Sequence, residues 1–254
     1  MLNKLTALFA SIEQRCPLCG GRPQHNGMNT VPIAIEHPAP RKVLEQLCKS
    51  CLSQIPWIAK PICNICGRHE RCEDCVRRAT RYVELCRCAV KYDDRMREWL
   101  ALYKYRGQER LEALLAAMLA FAFERLCASV CQRPVYFQAI TCVPLASERL
   151  RERGFNQAER MAIHLSHWYG IPYRPMLYRQ RHTEKQSLKS RRSRVEDMSG
   201  LFSPIQKVNN LERIILLDDI YTTGSTMNEC ARVLSEGDGG RKNTQIYGIS
   251  WARS

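Results

Sequence analysis

Two sets of residues in this sequence carry chemistry. The first is Asp218 and Asp219, side by side in IILLDDIYTTGST (214–226) and followed directly by Thr222, Thr223, Gly224, Ser225 and Thr226. Adjacent carboxylates repel by about 1 kcal/mol in water and several times that where solvent is thin. They need a compensating partner, either sugar hydroxyls or a cation bridging to phosphate. The run after them is small, hydroxyl-rich and broken by a glycine, as in loops whose backbone N–H groups converge on an anion at a helix N-terminus. A ribose 5-phosphate satisfies both halves, with its phosphate on the loop and its 2- and 3-hydroxyls on the acids. The same residues also suit a polar strand end and a capped helix that bind nothing.

The second set is cysteine. Ten of the fourteen cysteines lie between residues 16 and 88, and eight form four C-x-x-C pairs: Cys16/Cys19, Cys48/Cys51, Cys63/Cys66 and Cys72/Cys75. Such pairs in a chain without an export signal read as metal ligands in a reducing compartment. Two pairs make one tetrahedral Zn²⁺ site and four make two. Sequential pairing joins 16/19 with 48/51 and 63/66 with 72/75. Joining 48/51 with 63/66, or one site with spare thiols, also remains open. The "CPLCGG" and "CNICGR" turns favour zinc knuckles over an iron–sulfur cluster. Cys86 and Cys88 are substitutes; Cys127, Cys131, Cys142 and Cys230 fall in helix or strand patterns and read as core. His25, His37 and His69 are minor candidates.

The charge is strongly one-sided. Lys and Arg number 39 against 25 Asp and Glu, a formal +14 that favours an anionic partner, and two zinc tetrathiolates would lower it only to about +10. Between Arg149 and Arg194 there are twelve Lys/Arg and three Asp/Glu, so the excess is local. Arg149, Arg151 and Arg153 in VPLASERLRERGFNQAER (143–160) could neutralise a diphosphate, since Arg binds such groups bidentately. Lys185, Lys189 and Arg191 lie in RHTEKQSLKSRRSRVED (181–197), whose lack of periodicity suits a lid. The same surplus suits a nucleic-acid groove: neutralising about six phosphates would give a log–log salt slope of roughly −5. A solvated basic surface is the plain alternative.

These residues need elements to position them. The composition changes near residue 90, which predicts a Cys-rich metal-binding domain at 1–90 and an α/β domain at 91–254. Helix formers fill 94–131 with a break at Gly107; 135–145 reads as a strand stopped by Pro144, and 156–170 as a helix ended by Gly170. A weak strand at 173–180 precedes a polar stretch. RIILLDD is a buried strand, a helix starts at Ser225, and TQIYGISWA is a last strand. Strands alternating with helices predict a mostly parallel sheet, in which ligands sit at the carboxyl ends of strands. The opening residues (1–16) imitate a signal peptide but have helical spacing and no cleavage site, so they predict a short amphipathic helix. LEALLAAMLAFAFERL (111–126) falls short of the ~20 residues of a membrane span. A soluble, cytoplasmic chain is expected.

The stretch 214–226 resembles, without a gap, the phosphoribosyl pyrophosphate (PRPP) motif of type I phosphoribosyltransferases. The phrase RGFNQA, the cysteine pairs, YKYRG (103–107), RQRHTEKQSLKSRRSR and the closing GISWARS together resemble the ComF family of competence proteins over nearly the whole chain. The resemblance implies a type I phosphoribosyltransferase-like α/β fold with an N-terminal zinc-ribbon region. Under it Asp218, Asp219 and residues 222–226 would bind PRPP with Mg²⁺, and 149–153 would form the pyrophosphate loop. It also implies a role in natural transformation, handling incoming single-stranded DNA alongside DNA-uptake or replication and recombination proteins. Trp57, Tyr82 and Tyr92 would be stacking faces. An active Mg²⁺-dependent phosphoribosyltransferase on an unassigned acceptor, with no residue identified as general base, and a PRPP-sensing regulator are the alternatives.

Overall fold

The computed structural model describes residues 15–22, 32–105, 110–130, 136–180, 200–205, 211–236 and 244–254. The predicted helix at the start and the segment carrying Lys185, Lys189 and Arg191 lie outside the described residues.

At the centre is a four-stranded, wholly parallel sheet in the order β1 (Val83–Lys91), β6 (Gln245–Arg253), β5 (Arg213–Tyr221), β2 (Ala139–Cys142). A two-stranded antiparallel ribbon, β3 (Leu177–Arg179) with β4 (Phe202–Pro204), stands apart from it. The helices are α1 (Pro38–Leu44), α2 (Lys49–Ser53), α3 (Glu73–Arg77), α4 (Asp94–Tyr105), α5 (Arg110–Val130), α6 (Ser147–Arg153), α7 (Gln157–Tyr169) and α8 (Ser225–Glu236). The fold is thus the expected mostly parallel α/β architecture.

Both faces of the sheet are covered, and the period of two along each strand decides which residue faces which layer. Ile215 and Leu217 of β5, with Tyr247, Ile249 and Trp251 of β6, pack into the core built from α1, α4, α5 and α7. Ile214, Leu216 and Ile246 pack into the opposite core with α8, β3, β4 and the cysteines of residues 66–88. That is why RIILLDD is an unbroken apolar run rather than an alternating one.

Local signals set the element ends. Asn156 caps α7, its side chain accepting the Ala158 N–H at 3.1 Å, and Gly170 ends the helix in the left-handed region. Gly154 ends α6 in the same way.

One strand carries no local signal: β1 begins VELCRC, with Glu84, Arg87 and two cysteines in place of an apolar run, and it spans residue 90. One expectation is corrected: α5 runs for 21 residues, longer than its apolar stretch, and is long and apolar enough to cross a membrane. Leu111, Leu114 to Phe123 and Leu126 are buried in the core against β1, β6, α1 and α7, which makes it a core helix.

The outer edge of β1 is not open. Ile58 donates its N–H to Ala89 at 2.9 Å, Lys91 donates to Pro56 at 2.9 Å, and Cys86 donates to Ile65 at 2.7 Å. Residues 56–65 therefore cover an edge that would otherwise offer unpaired groups to another strand.

Candidate functional site

The acidic pair lies near the carboxyl end of β5, which runs two residues beyond the expected RIILLDD to Tyr221, between β2 and β6: Asp218 lies opposite Ser250, and Val143, just past β2, donates its N–H to Leu217 at 2.9 Å. Asp219 continues the Ile215–Leu217 series toward the α4 side and forms an ion pair with Lys104, from the last turn of α4. Asp218 continues the other series, and its Oδ1 accepts the Asp219 N–H at 2.9 Å. Burial first, and then the neighbouring Asp219 charge, push the Asp218 carboxyl well above its ordinary range; that N–H and Lys104 act in the opposite direction.

The loop 222–224 joins this strand end to α8. Gly224 has φ 78° and is buried, and a side chain there would lie on the phenol ring of Tyr221. A glycine is needed on both counts. The Gly224 carbonyl accepts the Asn228 N–H at 2.9 Å, opening α8. Thr223 Oγ1 lies 3.0 Å from Ser225 Oγ and accepts the Ser225 N–H at 3.4 Å, while Thr222 is exposed. Thr226 follows in the first turn of α8. Acids, hydroxyls and a helix N-terminus thus occupy one strand-to-helix junction, where a sugar phosphate can be held at both ends.

The first basic segment is a short helix rather than an open loop. Arg149 and Arg151 are exposed on α6. Arg153 is engaged: it donates to Gln157 Oε1 at 3.0 Å and to the Tyr105 hydroxyl at 2.9 Å, and its guanidinium lies 5.1 Å from the Tyr105 ring centroid. Tyr105 is 68% exposed. Of the aromatic candidates, Trp57 packs its ring edgewise on Phe121, and Tyr82 and Tyr92 are half-buried.

The cysteine pairs assemble sequentially. Cys16, Cys19, Cys48 and Cys51 form one group and Cys63, Cys66, Cys72 and Cys75 another, the four Sγ atoms of each lying within 4.8 Å of one another. Cys86 and Cys88 belong to neither; they are buried in β1, where Cys88 Sγ faces the Cys66 carbonyl at 3.7 Å. His37 caps α1 through Nδ1 and packs on Tyr169. In the second group, burial raises the Cys72 thiol, but the Cys75 N–H, the Cys66 and Cys75 thiols and Arg253 outweigh it and bring it down to about 7. Burial pushes Cys66 up to about 12.

Beside the second group lies Arg253, the last residue of β6, with no exposed side-chain surface. Its Nη2 is 3.9 Å from the sulfurs of both Cys66 and Cys72, and its Nε has no partner among the described residues. A buried guanidinium next to neutral thiols would be poorly compensated. Four thiolates around a divalent cation carry a net −2 and would supply its counter-charge, so the residues fit a metal.

Lys104 and Arg253 escaped the sequence reading, although YKYRG and GISWARS were both singled out. The available signals were a lysine one turn before Gly107 and an arginine ending an otherwise apolar strand, a residue type that is buried only when paired.

No protein-family model matches the chain. Over 203 residues it is 32% identical to "Competence protein ComFC" of Bacillus subtilis, an alignment spanning 76% of this chain and 79% of that protein. The chain belongs to the ComF family. This ComF-family chain is also 38% identical over 96 residues to "DNA utilization protein YhgH" of Salmonella typhimurium, covering 37% of this chain and 42% of that one. Among solved structures, the glutamine PRPP amidotransferase of B. subtilis is similar at a TM-score of 0.32 and 21% identity, over 49% of this chain and 24% of that one.

Proposed function

We propose that this chain acts in natural transformation, handling incoming single-stranded DNA on the cytoplasmic side, and that its strand-to-helix junction binds PRPP. The DNA-related part rests on its family: relatives bear the names of a competence protein and a DNA utilization protein. One observation carries the ligand part: Asp218 and Asp219 lie near the end of β5, two residues before it ends at Tyr221 and the Thr-Gly-Ser loop opens α8.

In this reading the loop N–H groups and the hydroxyls of Thr222, Thr223, Ser225 and Thr226 take the 5-phosphate. Asp218 and Asp219 accept from the ribose 2- and 3-hydroxyls, and Arg149 and Arg151 face the diphosphate. Mg²⁺ would arrive on that diphosphate, as it does where phosphates supply most of its ligands. Lys185, Lys189 and Arg191 would add charge from the segment that follows β3. Zinc in both cysteine groups would cross-link the region before β1 and fix its knuckles. Exposed Arg149 and Arg151, on the helix whose Arg153 holds the exposed Tyr105, would offer DNA a cationic track.

Calorimetric titration of PRPP and Mg²⁺ into the zinc-loaded protein tests the ligand part. Saturable heat that disappears when both aspartates become asparagine is expected; no heat in either protein would sink it. The DNA part fails if the pure protein has no measurable affinity for single-stranded oligonucleotides at low salt.

A further inference from the structure

We infer that Arg78 and Arg253 are positioning residues that tie the second cysteine group to the loop after β5, so that the loop's shape depends on a metal held by Cys63, Cys66, Cys72 and Cys75. The two arginines approach the loop from different elements. Arg78 follows α3, three residues past Cys75, and donates Nη2 to the Thr223 carbonyl at 2.6 Å. Arg253 ends β6 and donates Nη1 to the Tyr221 carbonyl at 3.1 Å, its guanidinium 4.9 Å from the Tyr221 ring centroid. That ring is the one against which Gly224 closes.

A third contact extends the clamp to the helix. Asn228, in the first turn of α8, accepts the Tyr82 N–H at 3.0 Å and donates to the Thr80 carbonyl at 3.4 Å. Two carbonyls of the turn from Tyr221 to Gly224, and the first turn of α8, are therefore held by residues fastened to the second cysteine group. The first group has no such contact with the loop among the described residues.

The direction of dependence follows from charge. Arg253 lies fully buried between Cys66 and Cys72 on one side and the Tyr221 carbonyl on the other, with Asp74 Oδ2 at 4.0 Å. With a metal tetrathiolate beside it the guanidinium faces a net −2 charge and its fork is fixed; without the metal that charge is reduced, and only Asp74 at 4.0 Å and backbone carbonyls hold it against shifting toward other acceptors or water. Loss of the metal also frees the chain after Cys75 that carries Arg78. Both clamps then slacken together, and the N–H groups of the loop lose their common aim.

The test reads the loop directly. Amide hydrogen exchange in peptides covering 221–227 is measured in protein with two zinc equivalents, in Cys66→Ser, in Cys19→Ser, and in Arg78→Gln and Arg78→Lys, whose zinc content is measured alongside. Cys66→Ser and Arg78→Gln are expected to exchange about tenfold faster in this loop, the size expected from losing one charge-assisted hydrogen bond. Arg78→Lys should recover part of the protection, and Cys19→Ser should match the unmodified protein. Unchanged loop exchange in both Cys66→Ser and Arg78→Gln overturns the inference, and so does equal acceleration in Cys19→Ser, which would mean general loosening.

A second arm rests on the phosphoribosyl reading. PRPP affinity should fall about tenfold in Arg78→Gln with both zincs retained, and PRPP should slow zinc loss from the second group only, because coupling between sites is reciprocal. If loop exchange responds but PRPP never binds, the phosphoribosyl reading fails and the coupling stands. If PRPP binds the unmodified protein and Arg78→Gln equally, with equal loop exchange, the coupling fails and the phosphoribosyl reading stands.

Discussion

Lys104 Nζ closes on Asp219 Oδ2 across the gap between the last turn of α4 and the end of β5, so one acid of the pair already has a cation. Successive side chains of a strand point to opposite faces, and Lys104 reaches only the one on the α4 side. A ligand that engages Asp219 must therefore share or displace this lysine.

Lys104→Met should leave two carboxylates near a shielded strand end with no ion-pair partner among the described residues. We expect a loss of about 2 kcal/mol of unfolding free energy at pH 8 and a smaller one at pH 5, where one acid can take up a proton. Urea unfolding at the two pH values checks this; equal losses would show that the lysine does not serve the pair electrostatically.

The raised pKa of Asp218 sets a pH dependence. In the free protein, a carboxyl raised above its unfolded value contributes stability that is present at low pH and lost as pH rises through the folded value. Sugar hydroxyls and cations favour the carboxylate, so binding should release a proton, and PRPP affinity should rise with pH through that range and then level off. Calorimetry in buffers of differing ionisation enthalpy reads the proton count. Proton uptake would contradict the role given to Asp218.

Gly224→Ala should cost at least about 2 kcal/mol, since a left-handed alanine alone costs roughly 1–2 and its methyl would overlap Tyr221. Calorimetric heat with PRPP should vanish too. A variant that binds normally would mean that the turn can be rebuilt without the glycine.

Arg149 and Arg151 are exposed on one short helix, so their neutral variants should fold normally. If they neutralise DNA phosphates, replacing both with Gln should reduce the log–log salt slope for single-stranded oligonucleotides by about 0.7 for each phosphate no longer neutralised. An unchanged slope would place the DNA track elsewhere.

Much of this was legible in sequence because it depended on local pattern. The apolar run at 214–217 is buried on both faces, Gly170 ends a helix as expected, and the four C-x-x-C pairs could be read as knuckles before their pairing was known. What was not legible depended on long-range partners. The strand β1 is a strand because β6 lies on one side of it and residues 56–65 on the other, and nothing within VELCRC announces that. Lys104 and Asp219 are 115 positions apart, and Arg253 and Cys66 are 187 apart. Arg153 reads in sequence like Arg149 and Arg151, a cation for a diphosphate, yet Tyr105 and Gln157 hold it.

The strand order β1-β6-β5-β2 also bears on how the chain is made. Among the described residues, the earliest strand to be synthesised has as its sheet neighbour the last one, with residues 245–253 paired along nearly the whole of 83–91. During translation β1 can dock on residues 56–65 but must wait for the final strand before its other edge is covered. Until then the inner side of α5 lacks Tyr247, Ile249 and Trp251, which complete its packing. The nascent chain therefore carries an open β edge and an uncovered apolar helix until residues 245–253 have been made, the kind of exposure that recruits chaperones. Stopping synthesis before Gln245 should yield an insoluble product rather than a smaller folded one.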